Sequence, residues 1–482
     1  MPRAVVVEEH SSVLPQWFEA GLAGATVVYL DAHLDLQFVE PARVERLRQC
    51  ASAVEMARWE SRHPLSPHRE ACYGIEDFLF PAACLGLIRR VIWIAPPHVL
   101  RAGIGSALQG LVQMEGVTPE QLESFHRKPG GWIEGHLLGL DLVIGELQQL
   151  VQLPLQGDDV VVDIDTDYFV SVPGDTVWAQ PRDVIAALKQ WVGHACDVTI
   201  ARSVGTGFLP LRHRFIADHL AALWEGRTED AAHWQCLFDL LPQTPNRGDT
   251  AYDLPGLQAL HARRPGCAAT CHALALATDG AQERARYLEE AAALDPFYAD
   301  DLIRRLGEFR ARWKRVDMKA VLGLHREAAA LEGSSERRAT AWIALGLLYA
   351  AFGRPHEARV CDEQSVRHSA GHPDLALAIA RLHIARAEFD EASPFLARAV
   401  MDDETRVVAW RHLAECALAM GDLAAARDHC RAARAAAPAW PGVLKQLAAI
   451  HDALAEPSAA RSLRQQCDDL ETRMGRVISR LG

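Results

Sequence analysis

The sequence predicts an α/β domain on a mostly parallel sheet, followed by an all-α superhelix of repeats. Three observations carry this. From Met1 to about Leu240, apolar β-branched runs alternate with helix-like segments, the pattern of a parallel sheet covered on both faces. Beyond residue 260 such runs vanish, and Ala, Leu, Arg and Glu dominate. Within this second half Ala358, Ala392, Ala426 and Ala460 recur every 34 residues.

In chain order, Ala4 to Val7 reads as a short strand ending in Glu8-Glu9-His10. Val27-Val28-Tyr29-Leu30 reads as a buried strand that stops at Asp31-Ala32-His33-Leu34-Asp35. A charged helical pattern covers Pro41 to Glu60, and a second helix is expected over Ile75 to Arg90. The strand Val91 to Ala95 follows, stopped by Pro96-Pro97. Val160 to Ile164 is the next strand and runs into Asp163-Ile164-Asp165-Thr166-Asp167. Pro181 to His194 reads as helix and Asp197 to Ala201 as strand. The division expected is an α/β domain over 1–240, a Pro- and Gly-punctuated linker over 241–260, degenerate helical units over 261–335 and four repeats over 336–475. Twelve residues before each repeating alanine lies a small residue (Gly346, Ala380, Ala414, Ala448), preceded by an aliphatic one. With Trp342, Leu345 and Tyr349 this is the tetratricopeptide pattern. Such a superhelix offers a concave surface to a peptide or protein partner; dimerisation is the other use open to it.

The chain has 482 residues, 49% hydrophobic and 23% charged, with a formal net charge of -13. That charge argues against a general affinity for nucleic acid. No basic segment followed by a long apolar one opens the sequence, and no run approaches the roughly 18 apolar residues of a membrane span. The eleven cysteines, an odd number, fit reduced thiols and a cytoplasmic location. Cys267 and Cys271 with His261 and His272 have the makings of a zinc knot, but no second ligand pair is evident, and helical packing is the reading expected.

The chemistry is expected at the two acidic strand ends. Carboxylates at the end of a buried strand cost free energy unless they are paired or bind a cation. Asp31, His33 and Asp35 can supply three ligands, Asp163 and Asp165 two more, and His10 a sixth. Oxygen and imidazole donors together suit Mn²⁺, Fe²⁺ or Zn²⁺ better than Ca²⁺. A pair of such ions makes an activated water available near neutral pH. His126 and His136 are expected in a loop at the rim of the site, as candidate proton donors.

These motifs, with Gly74-Ile75-Glu76-Asp77-Phe78 and Ile92-Trp93-Ile94-Ala95-Pro96, resemble the arginase and ureohydrolase superfamily. The nearer resemblance is to an arginase-related family that includes bacterial peptide arginases, and it covers roughly the first 220 residues. It implies an arginase-like three-layer fold and two Mn²⁺. His10, Asp31, Asp35 and Asp163 would hold one ion. Asp31, His33, Asp163 and Asp165 would hold the other, with Asp31 and Asp163 shared. The implied activity is hydrolysis of a C–N bond, converting peptidyl-arginine to ornithine and urea on a peptide recruited by the repeats. Asp167 departs in spacing from the arginase motif, and its implied role is to stand behind the metal ligands or to touch the substrate. Gly205 stands where the family pattern has a guanidinium-binding Glu, so Glu76, Asp77 or Glu134 would take over that role, or the substrate would be a neutral amide or acylamine. Two alternatives stay open: a deacylase or amidase on the same scaffold, and a non-catalytic interaction scaffold with a relic metal site.

Overall fold

The computed structural model describes residues 3–481 except 62–64, 67–69, 102–109, 156–158, 172–174, 194–196, 206 and 243–251. Its strands are β1 (Ala4–Val7), β2 (Ala25–Leu30), β3 (Ile88–Ile94), β4 (His126–Arg127), β5 (Ile133–Leu137), β6 (Leu140–Gly145), β7 (Val160–Asp165), β8 (Val170–Ser171), β9 (Thr176–Val177) and β10 (Val198–Ala201). All but β8 and β9 form one eight-stranded sheet in the order β1-β10-β7-β2-β3-β6-β5-β4. The first six in that order pair in parallel, and β5 and β4 close one edge as an antiparallel hairpin extension.

Side chains alternate across a strand, so the sheet builds a core on each face. Val28, Leu30, Ile92, Ile94, Val162 and Ile164 enter one core. Val27, Tyr29, Val91 and Trp93 enter the other. Every residue of β2 is buried, as expected of a central parallel strand. The in-register pair Tyr29 and Asp163 then places Asp31, Asp163 and Asp165 on the Tyr29 side, at the C-terminal ends of adjacent strands. Ligands gather at these ends in open α/β sheets.

Two helical expectations shorten. Residues 41–60 form helices Pro41–Arg48 and Ala53–Met56 rather than one. Residues 75–90 contain only the helix Leu79–Cys84, because Gly86 turns the chain at φ +76° and Arg89 and Arg90 already belong to β3. Nor is 241–260 a bare linker. Helix Leu254–Arg263 begins within it, and its Leu257 and Leu260 enter the first core together with Leu237 and Phe238; residues 243–251 lie outside the described part.

The second half is a run of antiparallel helix pairs: Ala268–Ala277 with Ala281–Leu294, then four regular pairs beginning at Ser335, Pro373, Arg406 and Pro441. The small residue in each first helix lets its partner approach. A Cβ on Gly346 would lie 2.7 Å from Leu375 and 3.2 Å from Cys361. Each of the four regular pairs turns through one left-handed residue at the same place: Gly353 (φ +70°), Ala387 (φ +59°), Gly421 (φ +83°) and Ala455 (φ +56°). No helix among the described residues is long and apolar enough to cross a membrane.

The superhelix folds back onto the α/β domain. At its N-terminal end Gly207 packs on the backbone of Gly307 and Glu308, where a Cβ would sit 2.3 Å away. In its middle Arg43 pairs with Asp402 and Asp403. At its C-terminal end Arg473 pairs with Glu120 and Glu123, and Arg127 donates to the Leu481 carbonyl.

Candidate metal centre

Two strand ends, those of β2 and β7, converge on one imidazole supplied by the turn after β1. His10 follows β1 in a short 3-10 turn (His10–Ser12) and is buried. Its Nδ1 lies 3.0 Å from Asp31 Oδ2, 3.1 Å from Asp35 Oδ2 and 3.2 Å from Asp165 Oδ2. Its Nε2 lies 2.9 Å from Asp163 Oδ2. At the mouth, half-exposed His33 places Nδ1 2.9 Å from Asp167 Oδ2 and 3.6 Å from Asp31 Oδ1. The five aspartates are all buried.

Two sets of ligand atoms emerge. His10, Asp31 and Asp165 form one, and Asp31, His33 and Asp167 the other, with the atoms of each set within 4.8 Å of one another. Asp31 is common to both. Asp163 instead spends its oxygens on His10 Nε2 and the Thr199 hydroxyl, so the expected sharing of Asp163 between two ions is not what the geometry displays. Asp167 corrects a second expectation: it stands among the candidate ligands, not behind them. The reason is the short 3-10 turn Thr166–Phe169, capped by Asp165 Oδ1 on the Asp167 amide, which swings Asp167 back toward Ala32 and His33.

Neutral donors hold these carboxylates in place. The Tyr29 hydroxyl lies 2.6 Å from Asp31 Oδ2 and 2.9 Å from Asp35 Oδ2. Ser203 Oγ donates to Asp165 Oδ2 at 2.6 Å, from a backbone held at φ +48°. Trp93 Nε1 donates to the Asp31 carbonyl. Phe78 packs on His10, and Phe208 leans on His33 with ring centroids 5.1 Å apart.

The electrostatics are those of an anionic site. Burial, then the charge of Asp31, pushes Asp35 up to about 7. Burial, then Asp165 and Asp31, pushes Asp167 up to about 8. Burial works against the charged form of His10, yet Asp163 and Asp165 raise it well above the usual histidine value. For Asp31 burial is outweighed by hydrogen bonds from His10 and His33, which hold it low. Without a cation this cluster must keep protons; a divalent ion replaces them. The donor set, carboxylates and imidazoles with no thiol, fits Mn²⁺, Fe²⁺ or Zn²⁺.

The other candidates lie elsewhere. His126 and His136 are not at the site rim. Residues 133–145 form a hairpin turning at Leu138 (φ +49°) and Gly139 (φ +86°), which carries both histidines to the antiparallel edge of the sheet. There His126 and His136 are exposed; His136 faces Asp141 at 3.2 Å, and His126 Nδ1 lies 2.9 Å from the Ser124 carbonyl oxygen. Glu134 pairs with Lys128 on the same edge. Glu76 and Asp77 line a cavity of about 90 Å³ between the two halves, facing Arg310, Asp374, Asp402 and Glu404 of the helical half. Asp77 accepts from the Gly74 amide and Glu76 from Gln37. Neither belongs to the two ligand sets.

Glu9 was not anticipated. Its carboxylate fills the space above Gly205, where a Cβ would sit 2.1 Å from Oε1. The side chain is buried and its Oε2 has no hydrogen-bond partner among the described residues. Burial, then Glu8, Glu60 and Asp165, raises its carboxyl well above the usual range. Arg312 was also unforeseen. It donates from Nε to Asp175 at 2.8 Å and from its two terminal nitrogens to the Gly207 and Phe208 carbonyls at 2.7 and 3.2 Å. The helical half thereby braces the loop that carries Ser203, Gly205 and Phe208.

No family model matches the chain, and no curated protein matches it. Among solved structures, MamA of AMB-1 is similar at 17% identity, over 32% of this chain and 87% of that one, with a TM-score of 0.27. MamA of MSR-1 is similar at 14%, over 45% and 98%, with a TM-score of 0.27. YrrB, described as a TPR protein with an unusual peptide-binding site, is similar at 16%, over 45% and 92%, with a TM-score of 0.26. Scores this low carry no argument, so the helical repeat rests on its own helix pairs, and the chain joins an eight-stranded, mainly parallel sheet to a tetratricopeptide-like array.

Proposed function

We propose that the protein is a two-metal hydrolase that cleaves the guanidinium C–N bond of a peptidyl arginine, leaving ornithine and releasing urea. The observation that carries this is the excess of buried carboxylates, arranged as two ligand sets sharing Asp31. His10, Asp31 and Asp165, with Asp35 beside them, would hold one ion; Asp31, His33 and Asp167 would hold the other. When bound, such a pair supplies an activated water near neutral pH.

The chain's own residues do the rest. Tyr29, Thr199 and Ser203 fix the carboxylates before any ligand arrives, so orientation costs nothing at the moment of reaction. Glu9 offers its unpartnered oxygen to the guanidinium, and a cation there relieves the desolvation of a buried anion. Phe208 covers His33 and limits water at the mouth. Glu76, Asp77, Asp374, Asp402 and Glu404, against Arg43 and Arg310, give the cavity between the halves a negative balance, which favours a cationic peptide. Water adds to the guanidinium carbon, the bond to the side-chain nitrogen breaks, and that nitrogen leaves as the protonated amine of ornithine.

The test is urea release from arginine-containing peptides by the full-length, Mn²⁺-loaded protein. Bound metal near two equivalents with urea formed supports the reading. Metal bound without urea from any arginine peptide removes the arginine assignment, and less than one bound equivalent removes the enzyme.

A further inference from the structure

A cluster of metal-ligating side chains sits at the joint between the two halves. Helix Leu254–Arg263 carries His261, helix Ala268–Ala277 carries Cys271 with Cys267 at its N-cap, helix Ala281–Leu294 carries Glu290, and helix Thr228–Leu240 carries His233. Cys271 Sγ lies 3.7 Å from His261 Nδ1, and Glu290 Oε1 lies 3.7 Å from His261 Nε2. One ligand atom each from His261, Cys271 and Glu290 fall within 4.8 Å of one another. A tetrahedral zinc ion with ligands at about 2.0–2.3 Å spaces its donors about 3.4–3.8 Å apart. Cys267, also buried, is the extended N-cap residue of the helix that carries Cys271. Its Sγ meets His233 Nε2 at 3.4 Å. His272, the other histidine in this stretch, is turned away against Tyr298.

We propose that Cys267, Cys271, His261 and Glu290 form a structural zinc site, with His233 hydrogen-bonded to Cys267 from outside it. Two sulfurs and an imidazole select Zn²⁺ over Mn²⁺ or Mg²⁺. Binding displaces the two thiol protons and joins side chains from three helices on one ion, with a fourth helix behind them. A nucleophilic thiol is the other use of a Cys-His-Glu arrangement. Here Cys271 is fully buried, out of reach of a substrate, whereas reactive cysteines are partly exposed. The site is separate from the carboxylate centre at the strand ends and does not depend on its activity.

Two measurements on the full-length protein decide it. Cobalt(II) titrated into metal-free protein should give the thiolate-to-cobalt charge-transfer band and the visible bands of a tetrahedral ion; the carboxylate centre, having no thiol, cannot give the former. Zinc by elemental analysis of zinc-saturated, desalted protein should fall by one equivalent in Cys271→Ser and in His261→Ala, while Asp31→Ala retains that equivalent. Cobalt uptake without the charge-transfer band overturns the proposal and needs no variant to fold. Equal zinc in wild type and His261→Ala overturns it as well.

Discussion

Removing Arg312 tests whether the helical half shapes the candidate centre. The guanidinium makes three hydrogen bonds, to Asp175 and to the Gly207 and Phe208 carbonyls. Hydrogen bonds involving a charged group are worth about 1.5–3 kcal/mol each. They are not additive here, because Asp175 keeps Arg315 at 3.3 Å and Arg212 at 3.8 Å. Arg312→Ala should therefore cost about 3–5 kcal/mol, the range for breaking a buried charged pair. The loop is closed by two internal bonds, Gly207 N to the Val204 carbonyl and Leu209 N to the Ser203 carbonyl. Lowering its opening free energy by that amount should speed hydrogen exchange at these amides by roughly a hundred- to several-thousand-fold. Arg312→Lys keeps the charge but cannot span three acceptors, and should recover about half the loss. Native-state hydrogen exchange read by mass spectrometry on peptides covering 203–210 is the assay. Exchange within threefold of wild type in Arg312→Ala would refute the bracing role.

Three further outcomes are expected. Asp31→Ala removes the carboxylate common to both ligand sets and should abolish bound Mn²⁺ and urea release together; full turnover would overturn the ligand assignment. Glu9→Gln should lower kcat/KM on arginine peptides about a hundredfold, equivalent to about 2.7 kcal/mol, with Mn²⁺ content unchanged; loss of metal would mean that Glu9 is a ligand instead. The metal-free protein should lose stability as pH rises from 5 to 9. Asp35 and Asp167, raised to about 7 and about 8, hold protons in the folded state that the unfolded chain has released above about pH 4. Raised His10 and His33 act with the same sign. Thermal melts across that range check it, and a Tm rising from pH 5 to 9 without metal would contradict the charge balance.

The ligand cluster was legible because its signal is local. An apolar run ending in Asp-x-His-x-Asp or Asp-x-Asp has no cheap structural explanation, and parallel pairing then brings β2 and β7 side by side. Tyr29 was legible in principle: a hydroxyl on a wholly buried strand, two residues before Asp31, needs a partner on the same face. Thr199, Ser203, Glu9 and Arg312 were not, since their roles follow from register and from contacts between distant segments. The hairpin that displaced His126 and His136 left a weaker trace. Ile133, Gly135 and Leu137 alternate with polar residues, and Leu138-Gly139 supplies the turn, but a Gly inside the strand and a Leu at positive φ disguise both. In the repeats, Gly353 and Gly421 announce the left-handed turn; Ala387 and Ala455 occupy the same conformation at a strain of about 1 kcal/mol or more and mark it only through the period.

An open superhelix behaves as a spring, with each repeat coupled only to its neighbours and able to melt or stretch independently. This one is pinned at both ends and in the middle to the same domain, through Gly207 on Gly307, Arg43 on Asp402 and Asp403, and Arg473 on Glu120 and Glu123. A pinned spring has a fixed curvature. Its repeats should unfold in step with the sheet rather than fray from one end, and the shape of its helical face becomes a property of the fold, set before any ligand arrives.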